Sequence, residues 1–216
     1  TPPLALPSLA STPASTPTGS LATPTQTDGW TFVNVQAVAY TGQGSMLIYG
    51  EAVNHTPSAQ QISHVAGIFY DDQGQVIAGA GGNDYVPTYV VPPEGKLPFK
   101  LLFSSPQRIA HFDLSVSSQP SGQIPRQNWE FSDLKASSQA GLYCVKGKLR
   151  NPGDAVQRYL TIAAVLYNSQ GNVVSFDSYD EYSPQEVVGD EALKFQICID
   201  PHKQEVARYE VQAWGQ

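Results

Sequence analysis

Charge is scarce in this sequence. Charged residues make up 14% of it, where a soluble domain carries about 25%. Twelve Lys and Arg face 19 Asp and Glu, a formal net charge of −7, and no stretch of the chain gathers basic residues. Nucleic-acid affinity rests on clustered Lys and Arg, so the composition argues against a nucleic-acid partner. Two cysteines are too few for a disulfide scaffold or a structural zinc site. No run of 18 apolar residues exists, so no transmembrane segment is expected. The start shows no basic n-region with an apolar core, so no signal peptide is read there. A first residue other than Met, Thr1, is taken as the mark of an upstream segment that was removed.

Chemical motifs are missing too. The four histidines, His55, His64, His111 and His202, form neither H-x-x-x-H nor H-E-x-x-H. There is no G-x-S-x-G, G-x-G-x-x-G or P-loop. The Gly-rich run at residues 79–82 enters no helix, so no dipole would face a phosphate, and a strand edge or bulge accounts for it better. Glycoside hydrolysis needs two carboxylates flanking a cleft, and nothing here suggests a cleft. The expectation is a non-enzymatic protein without a cofactor.

What is present points to β structure. There are 11 Tyr, and helix formers such as Lys, Glu and Met are few. Residues 1–29 stand apart: Thr, Pro and Ser fill 17 of these 29 positions, six of them Pro, and Asp28 is the sole charge. Such a segment has little to bury and suits a semi-rigid polyproline spacer. We expect it to tether a folded head to a removed signal anchor or a lipidated N-terminus outside the cell.

From Trp30 onward the chain repeats itself. Trp30-Thr31-Phe32 returns as Trp129-Glu130-Phe131, 99 residues later. At an offset of 97, Gly50 matches Gly147, Asn54 matches Asn151, Tyr70 matches Tyr167, Gln73-Gly74 matches Gln170-Gly171, and Val76 matches Val173. After one deletion, Leu97 and Phe99 fall on Leu193 and Phe195. The preserved order reads as an internal duplication. Expected units are residues 30–117 and 128–216, joined by a linker at 118–127.

Within each unit, alternation predicts strands. Ile48, Gly50 and Ala52 share one face, as do Val145, Gly147 and Leu149, while Lys146, Lys148 and Arg150 point to a solvated face. Residues 62–70 and 159–167 are apolar on both faces, which predicts central strands covered on both sides. Asp71-Asp72-Gln73-Gly74 and Asn168-Ser169-Gln170-Gly171 read as type I turns joining hairpins. Six or seven strands in about 90 residues, with turns every 8–12, predict an all-β chain of two tandem immunoglobulin-like β-sandwiches.

The order G-x-x-x-N, strand, Y-[DN]-x-x-G-x-V, polar turn, L-x-F-x-[LI] resembles the FxLYD-type domains of bacterial and archaeal envelope proteins. The resemblance covers both units and rests on framework residues. Asn168 replaces the usual turn Asp, which the turn tolerates. The resemblance implies an immunoglobulin-like, non-catalytic envelope module behind a low-complexity linker, and it supplies no active residues.

Cys144 and Cys198 replace Leu47 and Leu102 of the first unit, and by strand parity both point away from the core. In an immunoglobulin-like order the second strand pairs antiparallel with the fifth, which brings Cys144, early on one, beside Cys198, late on the other. We expect a cross-strand disulfide; the alternative is two partly buried free thiols. A bridge would fit an extracytoplasmic location. For ligands, the acidic run Asp177, Asp180 and Glu181, read as a loop, is a candidate calcium site or a solvated edge that discourages aggregation. Tyr85, Tyr89, Tyr179, Tyr182 and Trp214 are candidate edge aromatics for stacking on sugars or anchoring a protein. Asn54-His55-Thr56 meets the N-glycosylation sequon, a pattern that chance also supplies. The functional expectation is a surface-tethered module for protein contact or assembly with an envelope or surface protein. The alternatives are a carbohydrate- or cell-wall-binding module and a calcium-binding surface protein.

The cysteine pairing is directly testable. Under non-reducing, denaturing conditions, mass spectrometry should find neither Cys144 nor Cys198 alkylated; two alkylated thiols would sink the bridge.

Overall fold

The computed structural model describes residues 29–40, 45–77, 83–104, 109–126, 128–153, 159–181 and 192–215. The expected tether at 1–29, apart from Gly29, the Gly-rich run at 79–82 and Tyr182 lie outside them.

The described chain is all-β, with no helix among the described residues. The first half contains β1 (Trp30–Ala39), β2 (Ser45–Asn54), β3 (Gln60–Tyr70), β4 (Asn83–Tyr85), β5 (Val90–Val91), β6 (Lys96–Ser104) and β7 (His111–Pro120). The second contains β8 (Glu130–Gln139), β9 (Leu142–Arg150), β10 (Leu160–Tyr167), β11 (Val173–Glu181), β12 (Ala192–Ile199) and β13 (Arg208–Gly215). They form four sheets in the orders β1-β2-β6-β4, β5-β3-β7, β12-β9-β8 and β11-β10-β13, with antiparallel pairing throughout.

Each half buries one apolar core between its two sheets, as strands of alternating polarity must. In the first, Trp30, Phe32, Ile48, Phe69, Phe99 and Phe103 lie at its centre. Phe69 stacks on Phe103 at 3.9 Å between centroids. The second is built around Trp129, Leu149, Ile162, Leu166, Phe195 and Ile197. Burying one such side chain contributes about 1.5–3 kcal/mol.

The framework residues have local reasons. Gly50 has no space for a side chain: a Cβ there would lie 2.8 Å from the Phe99 ring and 2.9 Å from Val35. At Gly147 the same atom would lie 2.6 Å from Leu134 and 3.1 Å from Phe195. Both glycines therefore sit beneath a β-bulge, between Val33 and Gln36 in β1 and between Ser132 and Lys135 in β8. The turns form as expected. The Asp71 carboxylate accepts the amides of Gln73 and Gln75, and the Gly74 amide donates to the Asp71 carbonyl. Asn168, Gln170, Asn172 and Gly171 repeat every bond.

Asn54 is fully buried. Its amide donates to the carbonyls of Ser58, Val91 and Pro92 at 3.0–3.1 Å, while its Oδ1 accepts from the Thr56 amide and hydroxyl. The sequon asparagine is thus consumed by the fold. Asn151, also fully buried, accepts from Gly153 and from the Arg126 guanidinium.

Three expectations shift. β10 is buried along its whole length, but β3 alternates and leaves Ile68 47% exposed. Only one of the two central strands is covered on both faces. β7 runs through Pro120, past the expected start of the linker at 118. The connecting segment is also pinned, because the Ser121 amide donates to Ala59 and the Arg126 amide to Gly215. Finally, the acidic run is strand: β11 extends to Glu181 and pairs with β10 along Leu160–Tyr167.

Cys144 and Cys198 are directly opposed in β9 and β12 and are disulfide-bonded. The bridge spans 54 residues, worth about 4 kcal/mol in the chain-entropy model. It lies on the outer side of the sheet, where Leu47 and Leu102 lie in the first half.

Asn54→Ala would leave three carbonyls and the Thr56 donors without their partner. It should lower the stability measured by urea denaturation by about 2–3 kcal/mol.

Candidate functional site

The outer face of β1-β2-β6-β4 is covered by the outer face of β11-β10-β13. A third apolar cluster fills this contact: Val38, Leu47 and Tyr49 from the first half against Val165, Tyr167, Val173 and Phe176 from the second. Tyr85 stacks on Phe176 at 5.6 Å and its hydroxyl lies 2.5 Å from that of Ser178. Polar pairs ring the cluster. The Asn168 amide donates to Gln36 at 2.8 Å, and the Tyr49 hydroxyl lies 2.8 Å from the His202 ring.

A carboxylate lies within this contact. Glu51 is fully buried. One of its oxygens accepts from the Asn34 amide at 2.7 Å, and the other faces the Tyr167 hydroxyl at 2.9 Å. Tyr167 also lies 3.2 Å from Glu210, and the Arg208 guanidinium sits 3.7 Å over its ring. Burial above all, then the two neighbouring carboxylates, pushes the Tyr167 phenol far above its ordinary range. It therefore stays protonated and keeps its proton for the carboxylates.

Most of the expected binding aromatics are taken up by packing, while Tyr89 stays 64% exposed. Tyr85 belongs to the contact between halves, and Tyr179 packs against the second core. Trp214 is 1% exposed, with no hydrogen-bond partner for its indole nitrogen. None of these three offers a free flat ring, which corrects their reading as edge platforms. Asp177 and Asp180 point to opposite faces of β11, since they are three residues apart on a strand. Asp177 is exposed, and Asp180 accepts from the Thr161 hydroxyl at 2.7 Å. Glu181 closes the strand. Among the described residues no three ligating side chains come together.

The structure assembles instead a site that the linear sequence hid. The outer face of β12-β9-β8 carries an open groove of about 540 Å³, lined by Lys135, Lys146, Lys148 and Lys194 together with Asp133. These are four of the seven lysines in the chain, drawn from three strands. Pairing register sets Lys135 directly opposite Lys146, and Lys148 directly opposite Lys194. Cβ atoms so placed are about 5 Å apart, and like charges there are destabilising. One carboxylate answers them: Asp133 lies 2.7 Å from Lys148, and that contact holds its carboxyl below the usual range. Asp133 reaches Lys148 from a left-handed backbone (φ 53°) at the β8 bulge, a conformation that Asp and Asn tolerate. The absence of a basic cluster in the linear sequence is thus overturned by folding. Alternation at Lys146 and Lys148 was legible; the arrival of Lys135 and Lys194 needed the strand order.

No family model matches this chain, and no curated protein and no solved structure matches it.

Tyr167→Phe would remove the donor facing buried Glu51 and should cost about 1–3 kcal/mol near neutral pH. The raised phenol pKa makes the folded state hold this proton more firmly. That contribution is full below about pH 10, the unperturbed value, and is lost as pH rises through the folded one. The stability gap between wild type and variant, measured by urea denaturation, should therefore narrow above pH 10.

Proposed function

We propose that the chain is a non-catalytic, extracytoplasmic assembly module: two tandem immunoglobulin-like sandwiches of the FxLYD type, held at the cell surface behind the Thr/Pro/Ser tail. It binds an acidic protein surface through the lysine face of its second half. The observation that carries this reading is the in-register pairing of like charges on that face, Lys135 with Lys146 and Lys148 with Lys194. A face that only needed to be soluble would intersperse the two signs. Four lysines facing one another cost stability when the face is free, and a complementary carboxylate surface offsets that cost.

Other features support the wider frame. The two halves repeat the same bulges, turns and buried asparagines, as a duplicated module would. The Cys144–Cys198 bridge fits an oxidising compartment. The docked sheets make a two-part body rather than beads on a string, which suits a spacer that presents a surface at a set distance. Of the rings a carbohydrate module would use, Tyr85 and Tyr179 are partly covered and Trp214 is buried, which leaves Tyr40 and Tyr89 as the exposed rings among the described residues.

Lys146→Glu with Lys194→Glu converts both like-charged pairs into opposite-charged ones. The double variant should be more stable than wild type by about 0.5–2 kcal/mol and should lose capture of its partner from solubilised envelope. A variant that is no more stable, or that captures the partner as well as wild type does, would overturn this reading of the face.

A further inference from the structure

Resting on this assembly reading, the geometry points to a second copy of the same chain as the occupant of the lysine face. The copies dock head to tail, the β12-β9-β8 face of one against the outer face of β5-β3-β7 of the next.

The contact between the two halves of one chain is the template. There, the β11-β10-β13 face docks on the β1-β2-β6-β4 face. Among the described residues, each chain presents the counterparts of β10 and β13, and of β1, β2 and β6, a second time without a sheet docked on them; the counterpart of β11 falls mostly outside the described residues. The equivalents of β10 and β13 are β3 and β7, as the pairing registers establish: Tyr70 opposes His111 and Ile68 opposes Asp113, just as Tyr167 opposes Arg208 and Val165 opposes Glu210. The side chains repeat the arrangement. The Tyr70 hydroxyl donates to Asp113 at 3.0 Å, and His111 stacks on the Tyr70 ring at 4.4 Å, where Tyr167 meets Glu210 and lies under Arg208. Val165 and Val173 are fully buried in the docked copy of this surface, while their counterparts Ile68 and Val76 are 47% and 60% exposed.

The equivalents of β1, β2 and β6 are β8, β9 and β12, and there the polarity is inverted. Glu51 becomes Lys148, and its partner Asn34, at the β1 bulge with φ 56°, becomes Asp133 at the β8 bulge. Gln36 becomes Lys135, and Tyr49 becomes Lys146. The inversion suits the surface that would meet it. The template pair Gln36–Asn168 becomes Lys135 against Asp71. The meeting of Glu51 with Tyr167 and Glu210 becomes Lys148 against Tyr70 and Asp113. Strands β3, β5 and β7 and the 71–77 turn contain no Lys or Arg and carry Asp71, Asp72 and Asp113 as well as His64 and His111. Strands β8, β9 and β12 carry five Lys and Arg against Glu130 and Asp133. The apolar centre would be Ile68 and Val76 packed over the Cys144–Cys198 bridge, which occupies the place of Leu47 and Leu102. Because two different surfaces meet, the contact is heterologous, and repeating it gives a ring or an open filament rather than a closed dimer.

Sedimentation of the intact chain tests this. At low ionic strength, and over a concentration series up to about 1 mM, wild type should grow beyond a dimer, and salt should reverse the growth. Ile68→Lys with Val76→Lys blocks one surface at exposed positions that leave the core intact. Lys146→Glu with Lys194→Glu blocks the other. Each double variant alone should remain monomeric, and mixing the two should give a 1:1 complex that grows no further, because each chain supplies the surface the other lacks. A wild type that stays monomeric throughout would overturn the second-copy proposal; the assembly reading would survive if the lysine variant still lost its envelope partner. Dimers formed by either variant alone would also overturn it, since they would mark a symmetric contact.

Discussion

A fully buried carboxylate, Glu51, ties this structure together. A buried acid is costly unless it is hydrogen-bonded, and its two partners come from different parts of the chain. Asn34 reaches it from the bulge of the neighbouring strand. Tyr167 reaches it from the other half. The bulge and the docking of the halves are therefore mutually dependent: without the docked β10 the acid loses one partner, and without the bulge it loses the other. The surrounding cluster of Val38, Leu47, Tyr49, Val165, Val173 and Phe176 excludes the water that would otherwise serve the acid. Apolar area supplies the attraction, and the carboxylate supplies the register.

The same device appears in the second half with opposite sign. Asp133 takes the left-handed position of Asn34, and Lys148 takes the place of Glu51. One geometry thus yields a dry joint in one half and a wet, positively charged face in the other. What differs is coverage. The first copy of the sheet is roofed by β10, β11 and β13. No described element roofs the second: its two leucine positions are cysteines, and Lys146, Lys148, Lys194 and Gln196 share their outward side with the exposed Leu142. The disulfide reinforces an open sheet where docking reinforces the covered one. Among the described residues two outer faces stay open, that of β12-β9-β8 and that of β5-β3-β7, where Ile68 and Val76 are exposed.

Much of this architecture was readable from residue order. Alternation, turn chemistry and the recurrence of Gly50 and Asn54 at Gly147 and Asn151 are local properties, and local backbone physics is the same in every context. The turns at Asp71 and Asn168 formed as read because each needs only its own few residues. The cysteine pair was also legible, since antiparallel strands bring an early residue on one beside a late residue on the other. The reading failed where a side chain's fate depended on distant neighbours. Tyr85 and Trp214 read as exposed rings because a strand-edge aromatic looks the same whether or not another sheet lies over it. The apolar outer residues of β3 and β10 looked alike in sequence, yet on β3 Ile68 is exposed and Ala66 and Tyr70 are half-buried, while β10 is buried throughout.

Sequence alone therefore determined an all-β chain with recurring framework residues and a bridge between Cys144 and Cys198, because periodicity, turns and strand order are set within short windows. Only the tertiary structure decided which faces are spent on internal contact and which remain open. Burial of an outer face is a property of two surfaces and cannot be encoded by one strand. The lysine groove shows this most plainly. Lys135, Lys146, Lys148 and Lys194 are spread over 60 positions of a chain with net charge −7, and no local pattern marks them as a site. They become one cluster because strand pairing lays β8, β9 and β12 side by side, about 4.8 Å apart, and parity turns all four side chains to the same side.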